Sequence, residues 1–329
     1  MNSAPYRLLR RVLTPVIVAA ALVGLVLLLR GEGAAAARAF GRAEAVPLLA
    51  ASLAAYLLGL LLAVHSWQAL VPGEHRVRGL TAARIFFLGQ LGKYLPGRIW
   101  GLVTHVTQGR AAGVPGARMA SAYVLTLALT VLTGAGIGLL AAPGALPGHW
   151  AWPALPALCF LACVVRPALA TRPVTALLRL FRQTVEAPPD RAVRRAILLA
   201  LASWLISGLH LWFLVLALDA PPWAGLRSAV GAFALAAVVS SLALIVPDGW
   251  GVRELTITAA LSAVLSPGAA AAAAIASRVV CVVTELGSAA VVVLWSRLRR
   301  PPEPAPAPAP PPPSPDPTER TGEATRVHP

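Results

Sequence analysis

Twice along an otherwise lipid-soluble chain, a cluster of Pro, Gly, Trp and ionised residues interrupts a hydrophobic run. The first interruption reads LGKYLPGRIWG, residues 91–101; the second reads VPDGWGVRE, residues 246–254. A membrane helix that carries proline, glycines and charges at one point must break there. Broken backbone survives at membrane depth only where protein or a water-filled cavity satisfies its polar groups. Paired interruptions in two halves of a polytopic chain point to a transport site at the repeat interface. The candidate break residues are Pro96 and Gly97 in the first half, and Pro247, Asp248, Gly249 and Gly251 in the second.

Composition sets the class. Of 329 residues, 57% are hydrophobic and 12% charged, about half the charged share of a soluble domain. The chain is therefore an all-α integral membrane protein. Its net charge of +15 does not imply nucleic acid, because the basic residues lie between hydrophobic spans and follow the positive-inside rule. They also suit the anionic cytoplasmic leaflet. Cys159, Cys163 and Cys281 lie in apolar spans and read as small hydrophobes. With no Cys-x-x-Cys or Cys/His ligand spacing, neither a metal nor a cofactor is expected.

The Arg distribution orders the spans. Arg7, Arg10 and Arg11 precede an uncharged run at 12–29. That run exceeds the apolar core of a signal peptide, the competing reading, and is expected to be a first helix. A second span lies between Glu44 and Glu74. Residues 85–113 are too broken for an ordinary crossing and read as a re-entrant hairpin. Further spans are expected at 119–142, 150–165, 196–218, 228–246 and 269–295, with a short helix at 251–266. About eight crossings or near-crossings result, in a polytopic domain of residues 1–300. Basic segments at 7–11, 76–118, 166–195 and 297–300 put both termini in the cytoplasm of a cell-membrane protein. The Pro/Ala-rich segment 301–329 cannot bury a core and is expected to be a disordered tail.

The halves echo each other. Pro96, Trp100-Gly101, Pro115-Gly116-Ala117 and Gly134 recur as Pro247, Trp250-Gly251, Pro267-Gly268-Ala269 and Gly287, at spacings that agree to within two residues. Two pseudo-repeated halves are expected, with chance similarity in an Ala-, Gly- and Pro-rich chain as the rival reading; only the first Pro-Gly-Ala has basic neighbours, an asymmetry that hints at inverted topology although the assigned spans do not invert throughout.

Charges inside a bilayer cost about 2.5–3.5 kcal/mol each near a helix centre and persist when paired or lining a cavity. Arg278 lies nine residues past Ala269, about 14 Å into the last helix, and Glu285 follows on the same face. Arg253 and Glu254 adjoin the second break; Lys93 and Arg98 flank the first. These six form the candidate substrate-binding set. Arg suits bidentate phosphate recognition and Lys a point contact. The alternative is that Arg278 or Arg253 merely pairs with Glu285 to pin helices. His65 and His210 read as packing histidines or a proton relay. Tyr94, Trp100 and Trp250 read as acyl-chain contacts or interfacial anchors. Gly134, Gly136 and Gly138 read as a small-residue ridge for close helix contact.

The two interrupted motifs, with Arg278 in the last span, resemble the flippase-like transmembrane domain of the lysylphosphatidylglycerol synthase family. The second motif of that family runs Pro-Gly-Gly-hydrophobic-Gly-hydrophobic-Arg-Glu. Pro247, Gly249, Gly251, Arg253 and Glu254 match it, while Asp248 and Trp250 replace two of its commoner residues. The resemblance covers residues 10–297. It implies a lipid translocator for an anionic, aminoacylated or polyprenyl-linked lipid; bifunctional members of the family carry a further C-terminal aminoacyltransferase domain, and with a Pro-rich tail at 301–329 in its place that synthase activity is not expected here. No Asp-x-Asp pair, Ser/His/Asp set or nucleotide loop appears, so no enzymatic activity is expected. The alternatives are a scaffold or accessory subunit for a separate synthase or transferase, and a polyprenyl-phosphate-dependent transferase. The expected partners are membrane lipids with an anionic headgroup, not nucleic acid.

Overall fold

Long apolar runs satisfy their own backbone only as helices, and this chain uses them so throughout. A computed structural model describes residues 38–71, 74, 77–95, 99–140, 154–180, 187–242 and 247–298. Its helices are α1 (Ala45–Leu70), α2 (Gly79–Leu91), α3 (Trp100–Ala111), α4 (Gly116–Leu140), α5 (Ala154–Val165), α6 (Ala168–Leu180), α7 (Asp190–Leu216), α8 (Pro222–Leu242), α9 (Val252–Leu261) and α10 (Pro267–Leu298). Two 3₁₀ turns, Gly92–Tyr94 and Pro247–Gly249, precede α3 and α9. No strand occurs among the described residues.

Five helices, α1, α4, α7, α8 and α10, are long and apolar enough to cross a membrane. The 26 residues of α1 extend about 39 Å at 1.5 Å per residue, beyond the ~30 Å hydrocarbon core. Of the segment expected to cross at 150–165, the described part is the 12-residue α5, too short to cross alone. Its helical part starts at Ala154 and ends before Pro167, and the chain turns by 89° into α6. Pro167 has no N–H to continue the ladder and biases Arg166 away from helix. Counting α5 and α6 as one bent span gives up to six crossings among the described residues. The expected first span at 12–29, the outer loop near 145 and the tail 301–329 lie outside the described residues.

Helix ends follow local chemistry. Ser266 caps α10, its Oγ accepting the Ala269 N–H at 3.3 Å, and Pro267 occupies the first helical position, where no N–H is needed. Gly251 takes φ 82° before α9, and Glu254 reaches back so that its Oε2 accepts the Gly251 N–H at 2.7 Å.

The packing has an exchange pattern. α1 packs along α7, α4 along α8 and α2 along α10; each break's flanking helices, α2 with α3 and α8 with α9, pack on one another; the two 3₁₀ turns touch. The hairpin expected at 85–113 is thus a pair of packed helices, α2 and α3, wedged between α10 and α4. The approach is close because Gly92 faces the backbone of Trp100 and Gly101, where any Cβ would collide. Gly134 and Gly138 serve the expected ridge, against Trp204 with Val238 and against Leu235, whereas Gly136 faces open space. On α10, Val279, Val283 and Leu286 are exposed while Arg278, Cys281 and Glu285 are buried. One helix therefore presents lipid with an apolar stripe and the interior with an ionised one.

Candidate functional site

The second break is built for a tight reversal. Asp248, Gly249 and Gly251 all adopt positive φ (45°, 63° and 82°), a region that glycine enters freely and Asp more readily than most residues. The reversal buries Asp248 and turns its carboxylate toward α10. The first break ends α2 in the Gly92–Tyr94 turn, which lifts Lys93 and Tyr94 toward the same helix.

Glu285 is the focus of the first half of the cluster, with none of its side chain exposed. Its Oε1 accepts from the Tyr56 hydroxyl at 2.6 Å and from Lys93 Nζ at 2.6 Å; its Oε2 accepts from the Tyr94 hydroxyl at 2.8 Å. Lys93 Nζ also lies 3.6 Å from Asp248 Oδ1. Arg278 closes the other half. Its Nη1 donates to Asp248 Oδ2 at 2.7 Å, both terminal nitrogens reach the Asp248 carbonyl at 3.3 and 3.4 Å, and its Nε lies 3.3 Å from Glu254 Oε1. The Trp250 ring lies under its guanidinium at 5.0 Å. Two cations and three carboxylates from four chain segments form one continuous ionic chain.

Arg253 stands apart from that chain. Its Nη2 donates to Cys281 Sγ at 3.3 Å and its guanidinium lies 4.9 Å above the Phe233 ring. No salt bridge to a carboxylate joins it among the described residues, and its Nε, though buried, has no hydrogen-bond partner. A desolvated guanidinium with a free donor attracts an oxyanion.

Beside the cluster lies a cavity of about 260 Å³. Lys93, Asp248 and Arg253 line it, together with Tyr56, Trp67, Gln90, Tyr123, Trp204, Phe233 and a set of Ser and Thr hydroxyls. Of the residues expected to bind substrate, Lys93 and Arg253 reach the cavity wall. Glu254, Arg278 and Glu285 join the same cluster but are not among the wall residues. Arg98, Pro96 and Gly97 lie outside the described residues.

The ion pairs differ from those read in the sequence. Arg278 pairs with Asp248 and Glu254, and Glu285 pairs with Lys93; seven residues apart on α10, Arg278 and Glu285 lie about 10 Å apart along the axis, and other segments insert between them. Asp248, read only as a break, bridges Lys93 and Arg278. Tyr94 and Trp250 serve the ionic cluster, whereas Trp100 is exposed. His210 is a buried packing histidine. Its Nδ1 donates to the Ser207 carbonyl and its Nε2 lies 2.8 Å from Ser277 Oγ. His65 is exposed and bonds the Leu61 carbonyl one turn back. Tyr56, Trp67 and Phe233 escaped sequence reading. A lone tyrosine mid-span in α1 was the available signal for the first, and aromatic residues in apolar spans carry none for the others. No cluster of potential metal ligands occurs among the described residues.

Such an arrangement defines a class: a multi-pass helical membrane protein with an ionised interior beside an internal cavity. Residues 12–286 match the family described as the lysylphosphatidylglycerol synthase TM region. The chain belongs to that family. No curated protein matches it.

Proposed function

We propose that this protein is a lipid translocator of the flippase type, taking the headgroup of an anionic, aminoacylated or polyprenyl-linked lipid through the charged cavity. The observation that carries the reading is Arg253: a buried cation on a residue lining the cavity, which among the described residues contacts a thiol and an aromatic face, forms no salt bridge and leaves its Nε without a hydrogen-bond partner. A headgroup phosphate supplies the missing acceptors, and Lys93 stands on the same wall to share it. The ionic chain fixes both breaks to α10 and so holds Lys93, while Cys281 and the Phe233 ring hold Arg253, so both cations keep their positions when the cavity is empty.

The exchange pattern of helix contacts supports two pseudo-repeated halves meeting at the breaks, the arrangement in which one half rocks against the other around a fixed site. The reading is non-enzymatic, because the ionised groups are committed to one another rather than arranged as nucleophile and base. A scaffold for a separate synthase needs no buried free cation and no cavity beside it.

The test is reconstitution of the full chain into liposomes carrying fluorescent phosphatidylglycerol, lysyl-phosphatidylglycerol or a hexosyl-phosphoryl polyprenol, with leaflet-selective quenching. Faster crossing than in protein-free liposomes for at least one lipid is expected. Protein-free rates for all three would exclude the translocator and leave the scaffold.

A further inference from the structure

A second hollow, of about 730 Å³, opens at the end of the α2–α3 hairpin away from the break. Arg78, Thr81 and Arg84 at the start of α2, Gln108 near the end of α3, Ser296 in the last turn of α10 and Glu74 all line it. It shares no wall residue with the cavity that Lys93 and Arg253 line.

Charge on this wall is unbalanced. Glu74, its one carboxylate, pairs with Arg118. Arg78 and Arg84 have no carboxylate partner among the described residues. Arg84 is only partly exposed, and its Nε is buried without a hydrogen-bond partner. A guanidinium partly withdrawn from water attracts an anion more strongly than one in bulk solvent.

Helix α2 adds to the imbalance. Its first turn presents amides without intrahelical partners and the positive pole of the helix dipole. Arg78 stands at the N-cap with no side-chain cap, and the first turn holds no acid. Two arginines thus sit where the dipole favours carboxylates. The opposing pole, at the end of α3, is already occupied. The carbonyls of Gln108, Gly109 and Arg110 accept from the N–H groups of Ala112, Val114 and Gly113. An anion from outside the hairpin would neutralise both arginines and the end of α2 together.

Depth in the membrane identifies the source of that anion. Trp295, beside Ser296, is exposed at the end of α10, as aromatic residues at headgroup level are. Arg78, Arg84 and Arg297 belong to the basic segments expected to face the anionic cytoplasmic leaflet. We propose that the hollow binds the phosphate of an anionic membrane lipid, held by Arg78, Arg84 and the first-turn amides of α2. The lipid ties α2, α3 and α10 together at headgroup level, about 14 Å along the hairpin from Lys93. This site is separate from the charged cavity and does not depend on the translocator reading.

The experiment uses full-length Arg253→Ala protein, so that the charged cavity lacks its own phosphate contact. It is titrated in neutral detergent with phosphatidylglycerol, phosphatidylcholine and inorganic phosphate. Bound lipid is read by native mass spectrometry, and the unfolding midpoint is followed alongside. Phosphatidylglycerol is expected to bind at least about tenfold more tightly than phosphatidylcholine and to raise the midpoint. Adding Arg78→Gln and Arg84→Gln should weaken phosphatidylglycerol binding at least about tenfold and leave phosphatidylcholine unchanged. Arg78→Gln alone, at an exposed position, should cost at least about threefold and serves if the double change does not fold. Arg191→Gln with Arg195→Gln removes as much charge from exposed positions on α7 and should change nothing. Equal binding of the two lipids, or an equal loss in the α7 variant, overturns the inference. A midpoint rise produced as fully by inorganic phosphate would overturn the lipid as its source. Translocation lost in liposomes while this binding persists would count against the translocator reading alone.

Discussion

Lys93 Nζ lies 2.6 Å from Glu285 Oε1, joining residues 192 positions apart in the two halves of the chain. The lysine stands just after α2 on a broken backbone, and the glutamate lies deep in α10 with no exposure. Two hydroxyls, of Tyr56 and Tyr94, complete the carboxylate's shell. The hairpin is thus anchored to the last helix by charge as well as by apolar contact.

Breaking that pair on one side only should be costly. Removing one partner of a buried ion pair strands the other, at about 3–5 kcal/mol. Lys93→Met and Glu285→Gln are each expected to lower the unfolding midpoint in detergent. The double variant should be less destabilised than the sum of the two, because no stranded charge is left. Additive losses would show that the pair is not coupled.

Arg278 is held by a fork, not by charge alone. It reaches the Asp248 carboxylate and carbonyl, Glu254 and the Trp250 face at once. Lysine keeps the charge but cannot span these partners. Arg278→Lys should therefore destabilise by about 2 kcal/mol and Arg278→Ala by about 3–5 kcal/mol, read as loss of folded protein on heating. This places Arg278 among the residues that hold the site together. Unchanged stability in the alanine variant would return it to direct headgroup recognition.

The two glycine-dependent breaks should resist any side chain. Gly92 meets the backbone at Gly101, and Gly249 combines φ 63° with contact to Ser240. Gly249→Ala is expected to cost at least 1 kcal/mol from backbone strain alone, with the clash in addition. Gly92→Ala should push α3 off α2. Size-exclusion profiles and thermal stability in detergent check both, and wild-type behaviour of either variant contradicts the packing.

Orientation is testable from outside the cell. Ala187 is exposed before α7 in the basic connection between the halves. In a background with Cys159, Cys163 and Cys281 replaced by Ser, Ala145→Cys should react with an impermeant maleimide and Ala187→Cys only after permeabilisation. Equal labelling from outside would reverse or dissolve the topology.

Much of this architecture is legible in the sequence, for a physical reason. Membrane spans need long uncharged runs, so α1, α4, α7, α8 and α10 stand where the runs stand. The second break announces itself through Pro247, Gly249 and Gly251, and the meeting of Lys93, Arg253, Glu254, Arg278 and Glu285 follows from the cost of lone charges in lipid. The pairing within the cluster is not legible, because it depends on which segment inserts beside α10. That is why Glu285 takes Lys93 rather than Arg278, and why Asp248 joins at all. The cavity wall is hidden for a similar reason: Trp67 and Phe233 look like any apolar residue until the helices are assembled. The bend after α5 falls at Arg166-Pro167, just past the end of the span expected at 150–165.

The central claim is that Arg253 receives the lipid phosphate. Leaflet-selective quenching in liposomes, comparing wild type with Arg253→Ala at matched thermal stability, tests it most directly. Since Arg253 forms no salt bridge among the described residues, its loss leaves no paired carboxylate stranded, and the variant should fold. The account predicts at least about a tenfold slower translocation, the loss of one charge-assisted contact to phosphate. Wild-type translocation by a folded Arg253→Ala protein would contradict it.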